Sequence, residues 1–445
     1  MKRIVLLATL VMMVATVAAP VAAQPATGYF VDETKLPFEA LDGATAQWGV
    51  LGNAGYRIEV PDDWNGDLVL WAHGFRGEGL ELTVDNHPLR ELLIAQGYAW
   101  AASSYSRNDY DVGIGVSDTL ALTRYFDRTV GRADIRYITG ASMGGQVTAV
   151  IAETAGRFFD GALPVCGAIG DYELFDYFLD FNVAAQQIGT GTSEFPVDTA
   201  TYVGVTVPSI KANLEAVEGG WPVVLNEDGE NFKNLVELRS GGDRPNFDEG
   251  WAFWNTFPEF ATGPGNFLFD LGLGDGSVGW NPRVVVDNTD AVYQFDTDPA
   301  LSAEEQAFND NVVRVAAGAK ARVKFSNAPV PIVNGDPAMP VLTLHNLGDL
   351  FVPILNEVVY ANEVAANGSS DLLVQRAIRG VGHCDFTPEE FSTAFLDLVA
   401  WVETGVKPDG DNFLDPAAVA DPDFGCAFTV GDHLLATPCD SGPEL

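Results

Sequence analysis

The sequence is short of positive charge. It carries 24 lysines and arginines against 62 aspartates and glutamates, a formal net charge of −38. A surface of that sign repels phosphate backbones, which argues against nucleic acid as a partner. Adaptation to a saline habitat and a merely acidic secreted surface both produce such a balance. Long apolar runs are missing once the first residues are passed, so no later stretch is fit to span a bilayer. Internal repeats are absent, and nothing in the pattern speaks to oligomeric state. Charged residues make up 19% and apolar residues 47%, a globular composition that leaves no case for a disordered chain.

Cysteine and histidine are also scarce, at four and five residues. Four cysteines behind an export leader suggest two disulfides. The leader is read from Lys2 and Arg3, the apolar run that follows, and small residues at Val21 and Ala23. We expect cleavage after residue 23 and a secreted or periplasmic protein; an uncleaved N-terminal anchor is the alternative. Losing Lys2 and Arg3 takes the net charge from −38 to −40. Cys426 and Cys439 stand close together in a tail rich in Asp, Pro and Gly, where a bond would add about 3 kcal/mol by loop entropy. That leaves Cys166 and Cys384.

Strand-like and helix-like segments alternate through the first part of the chain. YRIEV alternates in polarity, and LVLWA is a continuous apolar run suited to a strand covered on both faces. Helical spacing is expected over Leu89–Gln96 and Val116–Thr129. YAWAASSY, DIRYITG and GALPVCGA read as further strands, and ASMGGQVTAVIAETAG as a helix. This rhythm predicts an α/β protein with a mainly parallel sheet and flanking helices. It breaks between residues 171 and 338, a loop-rich stretch holding Trp221, Trp251, Phe253, Trp254, Phe257, Phe260, Phe267, Phe269 and Trp280. We read that stretch as an inserted cap or lid; a second domain remote from substrate is the alternative. The core then runs over 24–170 and 339–404, with a strand at LLVQRAIR, a helix over Pro388–Thr404, and a tail over 405–445.

Gly140-Ala141-Ser142-Met143-Gly144 fits G-x-S-x-G, and it joins an expected strand to an expected helix. Glycines on both sides permit the sharp turn, and the helix start beneath Ser142 favours an oxyanion. A serine hydroxyl needs a base. Among five histidines, His73 lies in AHGF after an early strand, His87 precedes Pro88, His345 sits at a strand end, and His433 lies in the tail. His383, in a glycine-flanked loop after the last strand, is the expected base. Asp349, in LGDLFVP after a buried strand, is the expected partner of His383; Asp385 is its rival. The order Ser142, Asp349, His383 is that of an α/β-hydrolase. The amides of Met143 and Phe75 are the expected oxyanion donors, each worth ~2.7–4 kcal/mol in such sites.

WAHGF, TGASMGG, LGDLFVP and GVGHCDF together resemble the α/β-hydrolase superfamily, specifically its secreted bacterial carboxylesterases. VPDDWNGDLVLWAHGF and His383-Cys384 also look like the tannase and feruloyl esterase family, which has a cysteine directly before its serine. Ala141 stands there in this chain. The resemblance implies that Cys166 takes that cysteine's place and bonds Cys384, tethering the His383 loop; two buried free thiols are the alternative. It further implies an acyl-enzyme mechanism on small or polymeric esters, with hydrophobic, aryl or polyester substrates suggested by the aromatic stretch. No metal or organic cofactor is called for; the Asp-rich loops read as solvated charge, with Ca²⁺ binding as the alternative. A peptidase or amidase using the same three residues is the alternative enzyme. A non-catalytic binding protein on a hydrolase scaffold is the alternative outside catalysis.

Overall fold

The computed structural model describes residues 28–217, 224–256, 275–322 and 328–439. The expected leader lies outside them, as do Trp221, Phe257, Phe260, Phe267 and Phe269.

Eight strands form one sheet: β1 (Ala44–Leu51), β2 (Ala54–Pro61), β3 (Leu68–Ala72), β4 (Ala99–Ser103), β5 (Arg136–Ala141), β6 (Gly161–Val165), β7 (Val341–Asn346) and β8 (Leu373–Ile378). Their order across the sheet is β1-β2-β4-β3-β5-β6-β7-β8. β1, β2 and β4 pair antiparallel, and every pairing from β4 to β8 is parallel. This is the α/β-hydrolase fold that the strand–helix rhythm predicts. β1 lies in a stretch without a legible period. Its residues alternate between exposed and half-buried at the sheet edge, so no apolar face marks it in the sequence.

Among the helices that cover the sheet are α1 (Arg90–Ala95), α2 (Val112–Thr129) and α3 (Met143–Thr154). α2 starts four residues before the expected Val116, because the Asp111 carboxylate caps it by accepting from the Ile114 amide. Between β6 and β7 the chain builds α4 (Glu173–Thr190), α5 (Val207–Leu214), α6 (Glu227–Arg239), α7 (Phe247–Thr256) and α8 (Ala303–Asn311). α9 (Leu355–Ala366) follows β7, and α10 (Pro388–Thr404) follows β8.

β3 shows why a fully apolar strand fits here. Leu68, Leu70 and Ala72 point into a core shared with Val147, Val150 and Ile151 of α3. Val69 and Trp71 point the other way, toward Phe395 and Leu398 of α10. A separate core gathers Phe181, Phe232, Trp251 and Tyr293, all from the stretch between β6 and β7. That stretch is more helical than its sequence suggests. α4 is buried on nearly every side, and Asp176, Asp180, Asn182 and Gln186 are buried along with its apolar residues, so polarity does not mark which positions face inward. No helix of the described residues is long and apolar enough to cross a membrane.

Candidate active site

β5 ends at Ala141 and α3 begins at Met143, leaving Ser142 as the single residue of the turn. Its φ of 60° and ψ of −123° are strained for an L-residue. Backbone crowding holds the turn. A β-carbon at Gly140 would collide with the Gly144 carbonyl, and one at Gly144 with the Ala72 carbonyl. The glycines of the motif are therefore places where backbone meets backbone.

Three loops at the ends of parallel strands converge on this turn. His383, beyond β8, places Nε2 2.9 Å from Ser142 Oγ and Nδ1 2.6 Å from Asp349 Oδ2. Asp349, beyond β7, is fully buried, and His383 is 5% exposed. The Phe351 and Val352 amides donate to Asp349 Oδ1 at 2.9 and 3.0 Å. With Asp349 Oδ2 accepting from Nδ1, Nε2 is free to accept from the serine hydroxyl. The arrangement is one in which His383 can take the Ser142 proton while Asp349 fixes its tautomer.

The remaining histidines lie elsewhere. His73 stacks on Tyr105 at 3.9 Å between ring centres and donates from Nδ1 to the Gly74 carbonyl; burial pushes its pKa well below the ordinary value. His87 accepts from the Leu89 amide at Nδ1 and reaches Thr139 Oγ1 through Nε2; burial pushes its pKa down to about 3. His345 lies against Glu357 and the Val352 carbonyl. Burial works against its charge, but the hydrogen bond and charge of Glu357 raise its pKa. His433 pairs with Glu390 at 2.8 Å, and its Nδ1 lies 3.6 Å from Asp385. Asp385, the rival acid, thus faces the tail rather than His383.

The turn after β3 lies against Ser142, where a β-carbon on Gly74 would sit 3.0 Å from Ser142 Cβ. Phe75 follows Gly74, and Met143 opens α3, so both amides border the serine. Among the described residues, neither amide donates to a protein acceptor. Cys166, just beyond β6, is bonded to Cys384, and Cys426 to Cys439. The sulfurs beside His383 are thereby bonded to each other and offer no thiolate to a metal.

Sequence reasoning missed a run of rings. Phe351 meets His383 edge-on at 5.1 Å, and Phe178 stacks on Phe351 at 6.1 Å. Phe175, Tyr110 and Phe75 continue it with centroids 6.2, 5.1 and 6.4 Å apart. The arc joins the turn carrying Phe75 to the loop carrying His383. Two faint signals existed: Phe351 stands two residues past Asp349, and Phe175 and Phe178 share a helix face. Of the described aromatics of the expected stretch, Trp254 meets this run at Phe351, 6.2 Å away, and two others do not. Trp251 packs among Phe181, Phe232 and Phe247, and Trp280 is exposed.

No protein-family profile matches the chain. It is 23% identical over 400 residues to an o-phthalyl amidase of Xanthobacter agilis, covering 79% of this chain and 86% of that protein. Among solved structures it is similar to feruloyl esterase B of Aspergillus oryzae, with 16% identity, a TM-score of 0.46, and 83% and 82% of the two chains covered. It is also similar to an acylaminoacyl peptidase of Pyrococcus horikoshii, with 10% identity and a TM-score of 0.40, covering 86% of this chain but 45% of that one.

Proposed function

We propose that this protein is a secreted serine carboxylesterase working through an acyl-enzyme on Ser142. The observation that carries the reading is the continuous path Ser142 Oγ to His383 Nε2, and His383 Nδ1 to Asp349 Oδ2. In the reaction, Ser142 attacks the ester carbonyl as His383 takes its proton and then passes it to the departing alcohol. The Met143 and Phe75 amides receive the oxyanion. Water, deprotonated by His383, then releases the acid. Residues 171–338 serve as the cap of this site. Phe351, and Phe178 stacked on it, give it half-buried flat apolar surface beside His383, suited to aryl or other hydrophobic ester groups. Secretion fits the two disulfides, which persist in oxidising compartments.

A fluorophosphonate probe should label the wild type at Ser142 and leave Ser142→Ala unlabelled. An unlabelled but folded wild type would falsify the reading. The likeness to an amidase over 79% of the chain favours one second reading, amide cleavage by the same residues. Matched aryl esters and anilides of one acid separate the two. The ester should turn over faster, and a faster anilide would reassign the enzyme.

A further inference from the structure

The stretch between β6 and β7 also reaches the loops that carry Asp349 and His383. Trp254, on α7, is buried. Its indole Nε1 donates to the Val381 carbonyl at 2.9 Å and to the Gly348 carbonyl at 3.2 Å. Gly348 directly precedes Asp349, and Val381 stands two residues before His383. Both carbonyls belong to buried residues, and among the described residues neither accepts from any other donor. One N–H group thus spans the two loops whose spacing sets the Asp349–His383 hydrogen bond.

The surrounding contacts support the same purpose. Just before α7, Arg244 donates from Nε to the Leu347 carbonyl at 2.8 Å, so consecutive carbonyls ahead of Asp349 are held from one segment. The Gly348 amide donates to the Gly380 carbonyl at 2.9 Å, a second link between the loops. α7 approaches closely enough that a β-carbon on Gly250 would strike the Gly348 carbonyl. The Trp254 ring also lies 6.2 Å from Phe351, whose ring meets His383.

We propose that Trp254 is a positioning residue: its indole N–H clamps the acid loop to the base loop and so sets the reactivity of Ser142. The inference rests on the serine-hydrolase reading above. It makes the cap part of the catalytic geometry, beyond any part in covering the site. Removing the N–H while keeping a ring strands two buried carbonyls, and the loops shift to find other donors. A displacement near 1 Å at reacting groups lowers rate by roughly 100-fold.

The test uses the full mature chain and compares Trp254→Phe with Trp251→Phe. Trp251 lies on the same helix, and its indole nitrogen has no partner among the described residues, so it controls for loss of an indole from this core. Phosphonylation rate at Ser142, kcat and KM for an aryl ester, and Tm are read for each. Trp254→Phe should lose roughly 10- to 100-fold in phosphonylation rate and kcat, with KM nearly unchanged. Trp251→Phe should keep wild-type rates at a comparable Tm. Should Trp254→Phe not fold, Gly250→Ala presses on the same carbonyl from the helix side and should lower kcat in the same way. Wild-type rates in the folded Trp254 variant, equal losses in both Trp variants, or a change confined to KM would each overturn the clamp. Absence of labelling in the wild type would instead remove the serine-hydrolase reading, a result distinct from these.

Discussion

Ser142 holds a conformation that costs of order 1–3 kcal/mol, and it does so because glycines at 140 and 144 let three stretches of backbone meet. Gly74 is the third neighbour, and its freedom from a side chain matters both for the serine and for the turn backbone. Gly74→Ala would press a methyl toward Ser142 Cβ, 3.0 Å away, the Ala141 carbonyl, 3.2 Å away, and Ser142 Oγ, 3.6 Å away. We expect a clear fall in kcat with a Tm close to wild type, read by ester kinetics and calorimetry. An equal loss of Tm would assign Gly74 to folding instead. Asp349→Asn should keep the buried loop but lose the tautomer control, lowering kcat on the order of 10⁴-fold at neutral pH. That Ser142, Asp349 and His383 meet was legible in the sequence because the chemistry proposed for them is restrictive. Few histidines compete for the base, and the order of serine, acid and base follows the fold. Phe351, Phe178 and Tyr110 were not legible, because an aromatic that lines a site and one that fills a core have the same side chain and the same spacing. Trp254 was equally hidden among its neighbours, since only its hydrogen-bond partners distinguish it from Trp251.

Elements were legible where burial is uniform or the ends are capped. β3 and β7 read as strands because both faces are covered, and α10 read to its ends because Thr387 and Glu390 form a capping box at its start and Gly405 closes it. β1 and α4 were not, one being too exposed to show a face and the other burying polar residues along with apolar ones. The tail beyond α10 has no period, yet it is anchored at the start of that helix. Glu390 Oε1 accepts from the Val430 amide at 2.7 Å and from His433 Nε2 at 2.8 Å. Burial opposes the His433 charge, but Asp385 and Glu390 outweigh it and push the pKa up to about 9, from an ordinary 6.5. A base whose pKa rises on folding stabilises the fold fully below its unfolded pKa and loses that contribution as pH climbs through the folded one. The Tm gap between wild type and His433→Gln should therefore be widest below pH 6.5 and narrow as pH passes about 9. Cleavage of the tail by a protease should rise over the same window. A gap that stays constant across it would show that His433 acts by shape and not by charge.

The whole molecule carries its charge unevenly. Several arginines are drawn into pairs with buried or half-buried acids: Arg90 with Glu59, Arg239 with Asp180, Arg322 with Asp176. Arg244 is buried against carbonyls, and Arg379 against the tail. With 24 basic residues to 62 acidic ones, and several of the arginines engaged internally, the surface stays strongly negative. Like charges crowded on a compact surface repel more in the folded state than in the unfolded one, where they stand farther apart. Screening should relieve this. As salt rises from about 0.01 M to about 0.15 M the Debye length falls from roughly 30 Å to roughly 8 Å, below the spacing of many surface carboxylates. We expect Tm to climb steeply over that range, while the internal pairs, shielded from solvent ions, lose little. A flat or falling Tm would mean that exposed ion pairs outweigh the repulsion. The shape of the curve at higher salt decides between the two origins of the acidic surface. Self-repulsion alone is exhausted once the Debye length is near that of about 1 M salt, roughly 3 Å, so the curve should level off. A Tm that keeps rising beyond that point, with activity rising alongside it, marks a surface adapted to a saline habitat.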